Sequence, residues 1–217
     1  MIAFLLLIQG IFSVYLFMLN IIPAFAQSPA SEDLECDEHG DCYRDELDPD
    51  KPHIISPRRS VILSDRPLVR WYAVEGETRY IVKIQGPNQL TWEQETSEPF
   101  ILYDGPELVR GQTYRIEVST YNGNHQDQTS FIWLTSATEQ QINTAIAELD
   151  QTLSPLQKTL AIVEIYKAER LFNDAIDLLE AHLAEFGKTT AIDDSLSDLY
   201  RQIGLNQQTR WDQEQQP

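Results

Sequence analysis

Residues Leu108-Val-Arg-Gly-Gln-Thr-Tyr-Arg-Ile-Glu-Val118 decide the fold of this chain. From Tyr114 onward apolar and charged residues alternate, so Tyr114, Ile116 and Val118 share one side of an extended strand. A period of two with one polar face is typical of a half-buried antiparallel strand. Gly111, at the start of this stretch, is suited to the turn that precedes such a strand.

The same alternation recurs along residues 51–137, with turn-forming Gly, Pro and Asn between the runs. The runs are Val69/Trp71, Tyr80/Val82/Ile84, Leu90/Trp92 and Phe131/Trp133. About seven short strands in so short a segment predict a β-sandwich over residues 51–137.

Part of this segment resembles the fibronectin type III and related immunoglobulin-like domains. The residues that carry the resemblance are Val69-x-Trp71, Tyr80-x-Val82 and Leu108-x-x-Gly111-x-x-Tyr114-x-Ile116. In the family the last motif forms a tyrosine corner, which implies a bond from the Tyr114 hydroxyl to backbone near Leu108 or Gly111. The chain has Arg110 and Gln112 where the family usually has Pro and Thr. The resemblance implies a scaffold or recognition module without catalysis.

After Leu134 the apolar period changes to that of a helix, which predicts a helical module over residues 138–206. Ser136 and Glu139 have the spacing of a capping box at the start of the first helix. Its apolar face is expected to contain Ile142, Ala145, Ile146, Leu149 and Leu153.

A short repeat marks this module. Ile162-x-x-x-Tyr166 recurs as Leu196-x-x-x-Tyr200 after 34 residues, which is the tetratricopeptide period. Ala175 and Leu179 stand where that repeat has a small residue and a large one. The module therefore resembles one tetratricopeptide hairpin with a helix on either side. Because such repeats usually need about three copies for stability, we expect this one to pack on the sandwich, to be capped by its flanking helices, or to pair with another chain.

The N-terminus predicts export. Residues 1–26 contain no charged residue and end in Pro23-Ala-Phe-Ala26, the small-residue pattern of a cleaved signal peptide. The usual basic residue at the start is missing, so an uncleaved membrane anchor over residues 2–26 is the alternative. We expect an exported protein, periplasmic or extracellular.

The acidic residues are concentrated outside the sandwich. Residues 27–50 contain ten acids and one base, residues 51–137 ten acids and nine bases, and residues 138–217 fourteen acids and six bases, for a net charge of −18. Residues 27–50 and the Gln-rich tail 207–217 are expected to be disordered. Such a balance argues against nucleic-acid binding, which needs clustered Lys and Arg. It also disfavours adhesion to anionic lipid. We therefore expect contact with a membrane only if the signal stays uncleaved.

Cys36 and Cys42 are the only cysteines. In an exported chain two thiols at this spacing most simply form a local disulfide around His39-Gly40. A zinc site built from both cysteines, His39 and nearby carboxylates is the weaker alternative, because the spacing matches no standard finger.

The sequence contains no motif for catalysis or for cofactor binding. His39, His53, His125 and His182 belong to no recognisable nucleophile or metal motif, and His182 is expected on the polar side of a helix. Trp92 and Trp133 could stack on sugars, although strand tryptophans are usually core.

We therefore expect a non-enzymatic scaffold that binds protein partners of unknown identity and could form homo-oligomers. The alternatives are a carbohydrate- or envelope-binding module on the sandwich and an unrecognised hydrolase. The order of segments also resembles a group of exported bacterial proteins that is common in cyanobacteria.

Overall fold

The computed structural model describes residues 47–205 in full and residues 35–36 and 42–43 by their backbone. The predicted signal peptide 1–26, most of the acidic segment 27–50 and the tail 207–217 lie outside the described residues. Within the described part, no helix is both long enough and apolar enough to cross a membrane.

The described part begins with ten strands and ends with four helices. The strands are Glu35–Cys36 (β1), Cys42–Tyr43 (β2), Ile54–Ser56 (β3), Ser60–Ile62 (β4), Leu68–Trp71 (β5), Tyr80–Gln85 (β6), Thr91–Thr96 (β7), Phe100–Leu102 (β8), Thr113–Thr120 (β9) and Gln126–Trp133 (β10). The helices are Ser136–Ala147 (α1), Pro155–Ala168 (α2), Phe172–Phe186 (α3) and Thr190–Gln202 (α4).

The pair β1–β2 is antiparallel and places Cys36 opposite Cys42 in register. The side chains of both residues lie outside the described part of the chain. Their disulfide therefore stays a prediction.

The strands from β3 onward form two sheets. One has the order β4-β10-β9-β6-β7 and the other the order β3-β5-β8. All neighbours are antiparallel except β4 and β10, which are parallel. This is the strand order of a fibronectin type III or immunoglobulin-like sandwich. The predicted β domain followed by helices is confirmed at that level.

Alternation along the strands builds the sandwich core. In β9, Tyr114, Ile116 and Val118 are buried while the intervening residues face outward, and β6 repeats the pattern with Tyr80 and Val82. The remaining candidate core residues of the sequence analysis that are buried are Val69, Trp71 and Leu108. Gly111 is exposed and has a φ of 72°, a conformation that favours glycine.

Tyr114 connects the loop before β9 to that strand. Its hydroxyl accepts a hydrogen bond from the Val109 amide at 2.6 Å. Arg110, which departs from the family pattern, forms an ion pair with Glu139 of α1 at 2.7 Å and lies over the Trp133 ring at 4.4 Å. Arg110 thus connects the sandwich to the first helix.

Two expectations about α1 are wrong. Its N-cap is Thr135, whose side chain accepts from the Thr138 amide at 3.2 Å, and Ser136 is already helical. Thr135 and Ser136 both have a hydroxyl, but only Thr135 has the extended backbone that an N-cap residue adopts. The helix ends at Ala147, so Leu149 and Leu153 lie beyond its apolar face.

The other helices have clear ends. Ser154 and Gln157 form a reciprocal capping box at the start of α2, and Thr189 caps α4. Gly187, with a φ of 85°, ends α3. The helices α2 and α3 form a hairpin, and Lys167 of α2 forms an ion pair with Asp198 of α4 at 2.8 Å.

The helices and the sandwich share their apolar cores. Ile142 of α1 and Leu171, just before α3, belong to the core of the sandwich, while Tyr72 from the sandwich belongs to the core of the helices. The helical segment therefore packs on the sandwich, one of the three arrangements expected from its single hairpin.

Polar contacts fix α3 against the turn between β3 and β4. The Asn173 side chain accepts from the Arg58 amide at 2.8 Å and donates to the Ile55 carbonyl at 3.0 Å. The Ser60 hydroxyl donates to the Arg170 carbonyl at 3.1 Å. These bonds hold the start of α3 against β3, β4 and the turn between them.

A buried charge pair lies at the same junction. The Arg58 guanidinium donates to Asp127 at 2.7 Å and to the Ile203 carbonyl, at the end of α4, at 3.0 Å. Burial alone would raise the pKa of Asp127, but Arg58, the Ile54 amide and His53 outweigh it and hold that pKa below its usual range. Arg58 therefore connects the sandwich to the last helix.

Candidate binding surface at the β8 edge

The outward face of the five-stranded sheet is covered by polar pairs. Lys83 of β6 and Glu93 of β7 are 3.5 Å apart, and Arg79, just before β6, is 2.9 Å from Glu95 of β7. Such cross-strand ion pairs are typical of a solvated sheet face. The β6–β7 part of this face is therefore mainly polar.

The outward face of the three-stranded sheet carries exposed apolar side chains on β5 and β8. Leu68 of β5 and Leu102 of β8 are opposite in register and are 43% and 56% exposed, and Phe100 of β8 is 48% exposed. We call Leu68, Phe100 and Leu102 the β8 face. Single exposed apolar residues are ordinary, but neighbouring ones on one sheet mark interaction surfaces.

The helix α3 borders the β8 face. Its Asp177 carboxylate accepts from the Arg70 guanidinium of β5 at 2.5 Å. Arg70 is opposite Phe100 in register, so this ion pair lies beside the exposed apolar side chains. The β8 face is therefore an exposed apolar surface bordered on one side by α3.

The outer edge of β8 is free of any described strand. The Trp71 amide donates to the Pro99 carbonyl at 3.1 Å, and the Tyr103 amide donates to the Pro67 carbonyl at 3.0 Å. Backbone groups alternate in direction along an antiparallel strand. The N–H and C=O groups of Phe100 and Leu102 therefore point toward the free edge.

A cavity of about 250 Å³ opens where the β8 face meets α3. Its wall includes Ile62, Arg66, Leu68, Arg70, Asp174 and Asp177. Leu68 and Arg70 belong both to this cavity and to the neighbourhood of the β8 face. The cavity and the face form one continuous surface.

Asp174 is the unusual group in this cavity. Its Oδ2 atom is buried and has no hydrogen-bond partner among the described residues. Burial, and next the charge of Asp177, raise the pKa of Asp174 to about 7, against the opposing effect of the Leu63 amide. A carboxyl group with a strongly raised pKa in a cleft is a candidate functional group.

The residues singled out by the sequence lie elsewhere. Ala175, Leu179, Leu196 and Tyr200 of the repeat signature are buried between the helices, whereas Ile162 and Tyr166 are half-buried. The Tyr200 hydroxyl donates to Glu180 at 2.9 Å, which connects α4 to α3. Apart from Ile162, the repeat-signature residues belong to the helical core, and none of them lines the cavity.

The aromatic and histidine candidates also lie elsewhere. Trp92 and Trp133 are buried, so their rings are not presented to a sugar. His182 is buried beside Thr159, at 3.1 Å, and its expected place on the polar side of the helix is wrong because α2 packs there. In the described part of the chain, no group of three or more His, Cys, Asp or Glu side chains could hold a metal ion.

Sequence reasoning missed Phe100, Leu102 and Asp174. The run Phe100-Ile-Leu-Tyr103 is apolar throughout, so it lacks the alternation that marks a strand with one exposed face. Asp174 stands in the first turn of α3, where an acid ordinarily favours the helix dipole. Its partial burial comes from the packing of that turn against β4 and the residues just after it.

Strand order and packing define the class of this protein as a fibronectin type III or immunoglobulin-like sandwich with a helical extension. No family model matches the chain, and the search of curated proteins found no match. Among solved structures it is similar to the fn3 domain of human collagen alpha-1(XX) chain, with 18% identity and a TM-score of 0.31 over 42% of this chain and 94% of that chain.

Two multidomain structures also match. The twitchin kinase region from C. elegans is 15% identical with a TM-score of 0.27, over 39% of this chain and 17% of that chain. Titin kinase with its flanking domains is 18% identical with a TM-score of 0.28, over 48% of this chain and 21% of that chain. The chain thus spans only a small part of either structure, and at these TM-scores the likeness adds nothing to the strand order.

Proposed function

We propose that this protein is a non-enzymatic, exported protein-interaction module, and that the free edge of β8 binds an extended segment of a partner protein. One observation carries the proposal: the outward backbone groups of Phe100 and Leu102 coincide with the exposed apolar side chains of the β8 face. A strand added at a sheet edge gains affinity from main-chain hydrogen bonds and specificity from alternate side chains.

Charge favours a different protein over a second copy of this chain. Two β8 strands paired about a twofold axis at Ile101 would place Glu98 of each copy opposite Asp104 of the other. Like charges directly opposite each other destabilise a strand pair. We therefore propose a partner segment with two alternating apolar residues and a basic residue on each side of them.

The helical segment is proposed to be tetratricopeptide-like and to support this surface rather than to form the binding groove itself. Its repeat-signature residues are mostly buried in the packing of α2, α3 and α4, and α3 forms the wall of the β8 face. A single hairpin provides little of the concave groove that longer arrays use.

The proposal keeps the predicted signal peptide over residues 1–26 and an exported protein of the bacterial kind, with contact to a membrane only if the signal is uncleaved. A net charge of −18 supports a protein partner and argues against nucleic acid. The alternative of sugar binding loses its support, because Trp92 and Trp133 are buried.

Peptide display against the immobilised full chain tests the proposal. We expect enrichment of strand-forming peptides with two alternating apolar residues between basic ones. In hydrogen-exchange experiments the bound peptide should slow exchange of the Phe100 and Leu102 amides, because these would become bonded across the new strand pair.

Two variants localise the binding. Leu102→Lys should abolish it, whereas Val109→Lys, which places the same charge at a similarly exposed apolar position (47%), should leave it unchanged. Failure to enrich any strand-forming peptide, or equal binding by both variants, would contradict the proposal. Self-association of the full chain that Leu102→Lys removes would show that a second copy is the occupant instead.

A further inference from the structure

We infer that the cavity beside the β8 face is a subsite for a basic side chain, Lys or Arg, of the segment that binds at the β8 edge. This inference rests on the proposed function, because Leu68 and Arg70 connect the cavity to the β8 face. It adds a specific side chain to the partner and a pH range in which that side chain binds.

The walls of the cavity suit a long side chain with a charged head. Ile62, Pro67 and Leu68 form its apolar part, and Asp174 with Asp177 form its acidic part. Lys and Arg bury their methylene groups along apolar surface and carry the charge at the tip. A cavity of about 250 Å³ has room for one such side chain.

The acidic part retains one group without a positive partner. Asp177 already pairs with Arg70 at 2.5 Å. By contrast, the buried Oδ2 atom of Asp174 has no donor among the described residues. When ionised, a carboxylate only accepts hydrogen bonds, so an ammonium or guanidinium group supplies what this atom lacks.

An anionic ligand is the competing interpretation, since Arg66 and Arg70 also form part of the wall. Arg70 is occupied by Asp177, and the unsatisfied buried atom of the cavity is an acceptor. An anion brought beside Asp174 and Asp177 would add to their mutual repulsion. These contacts favour the cation.

Binding should depend on pH because a cation favours the ionised form of Asp174. The charged groups that line the cavity with it are Asp177 of α3, Arg70 of β5 and Arg66 just before β5, and the titratable Tyr166 of α2 also interacts with it. With the pKa of Asp174 raised to about 7, the ionised fraction increases about 30-fold between pH 5.5 and 8.5. Affinity for a cation should increase by the same factor.

The test uses a probe that does not need the partner. We would titrate n-butylguanidinium into the full chain at pH 5.5 and 8.5 and follow the Leu68 and Asn173 amides by NMR. We expect binding about 30-fold tighter at pH 8.5, the ratio of the ionised fractions. The neutral analogue N-butylurea should show no such dependence.

Asp174→Asn should weaken n-butylguanidinium binding at pH 8.5 and abolish its pH dependence. The matched control is Asp194→Asn, which removes an exposed carboxylate of α4 and should leave both unchanged. Unaltered binding by Asp174→Asn, or tighter binding of pentanoate than of n-butylguanidinium, would overturn the inference. Peptide binding at the β8 edge could still occur in that case, so the failure of this subsite is distinguishable from the failure of the proposed function.

Discussion

The substitution Asp174→Asn should stabilise the protein at alkaline pH. The pKa of Asp174 is raised from 3.8 to about 7, chiefly by burial. An acid whose pKa is higher in the folded state binds its proton more tightly there, so its contribution to stability is present below 3.8 and is lost as the pH rises through 7. Asn has nearly the same shape and never ionises, which removes this loss.

The expected size follows from the shift. At ~1.4 kcal/mol for each pKa unit, ionisation of Asp174 lowers the free energy of unfolding by roughly 4 kcal/mol at pH 8, an upper value because the side chain is partly exposed. Part of this destabilisation is already present at pH 5, because the carboxyl group of the unfolded chain, with a pKa of 3.8, is largely ionised there. The difference in stability between Asp174→Asn and the natural chain should therefore grow by roughly 2–3 kcal/mol from pH 5 to pH 8.

Urea unfolding followed by tryptophan fluorescence measures this difference, since Trp71, Trp92 and Trp133 are buried. Groups that do not interact with Asp174 titrate alike in both proteins, and their effects cancel. Asp194→Asn, at an exposed position of α4, should change the stability little at either pH. The reasoning is refuted if Asp174→Asn is no more stable than the natural chain at pH 8, or if the difference does not grow with pH.

Three further outcomes are expected. In the free full chain the amides of Phe100 and Leu102 should exchange with solvent faster than those of their neighbours that are bonded to β5, and equal rates would mean that the edge is covered. Arg58→Met should lower the free energy of unfolding in urea by about 3–5 kcal/mol, because it leaves the buried Asp127 carboxylate unpaired. A decrease of less than about 1 kcal/mol would show that the ion pair is solvated. Tyr114→Phe removes the hydrogen bond between the Tyr114 hydroxyl and the Val109 amide and should lower the free energy of unfolding by about 1–2 kcal/mol in the same assay. An unchanged free energy of unfolding would mean that the tyrosine corner does not stabilise the fold.

The sequence predicted core residues best in strands that bury one face and expose the other. Tyr114, Ile116 and Val118 could be assigned to the core because alternation alone decides which side of β9 faces inward. The strands β3 and β4 are short and have no such pattern. Their places in two different sheets depend on partners that are far away in the chain.

The candidate surface could not be predicted in the same way. Phe100 and Leu102 lie on the edge strand β8, and a strand that is apolar throughout does not indicate which of its faces remains exposed. The burial of the Asp174 Oδ2 atom likewise depends on packing, since the bonds of Asn173 hold the first turn of α3 against β3 and the turn that follows it. His182 shows the converse, because a polar residue on α3 becomes buried when α2 packs over it.

The shared cores explain how a single helical hairpin, which we propose to be tetratricopeptide-like, can be stable without further repeats. Such a hairpin ordinarily buries its apolar faces against neighbouring repeats. Here Ile142 and Leu171 are buried in the sandwich core and Tyr72 extends into the helical core, so the sandwich takes the place of the missing repeat. The same packing fixes Asp174 beside the β8 face. The contacts that stabilise the helices therefore also form the cavity, and a surface built in this way belongs to the sandwich and the helices together rather than to either alone.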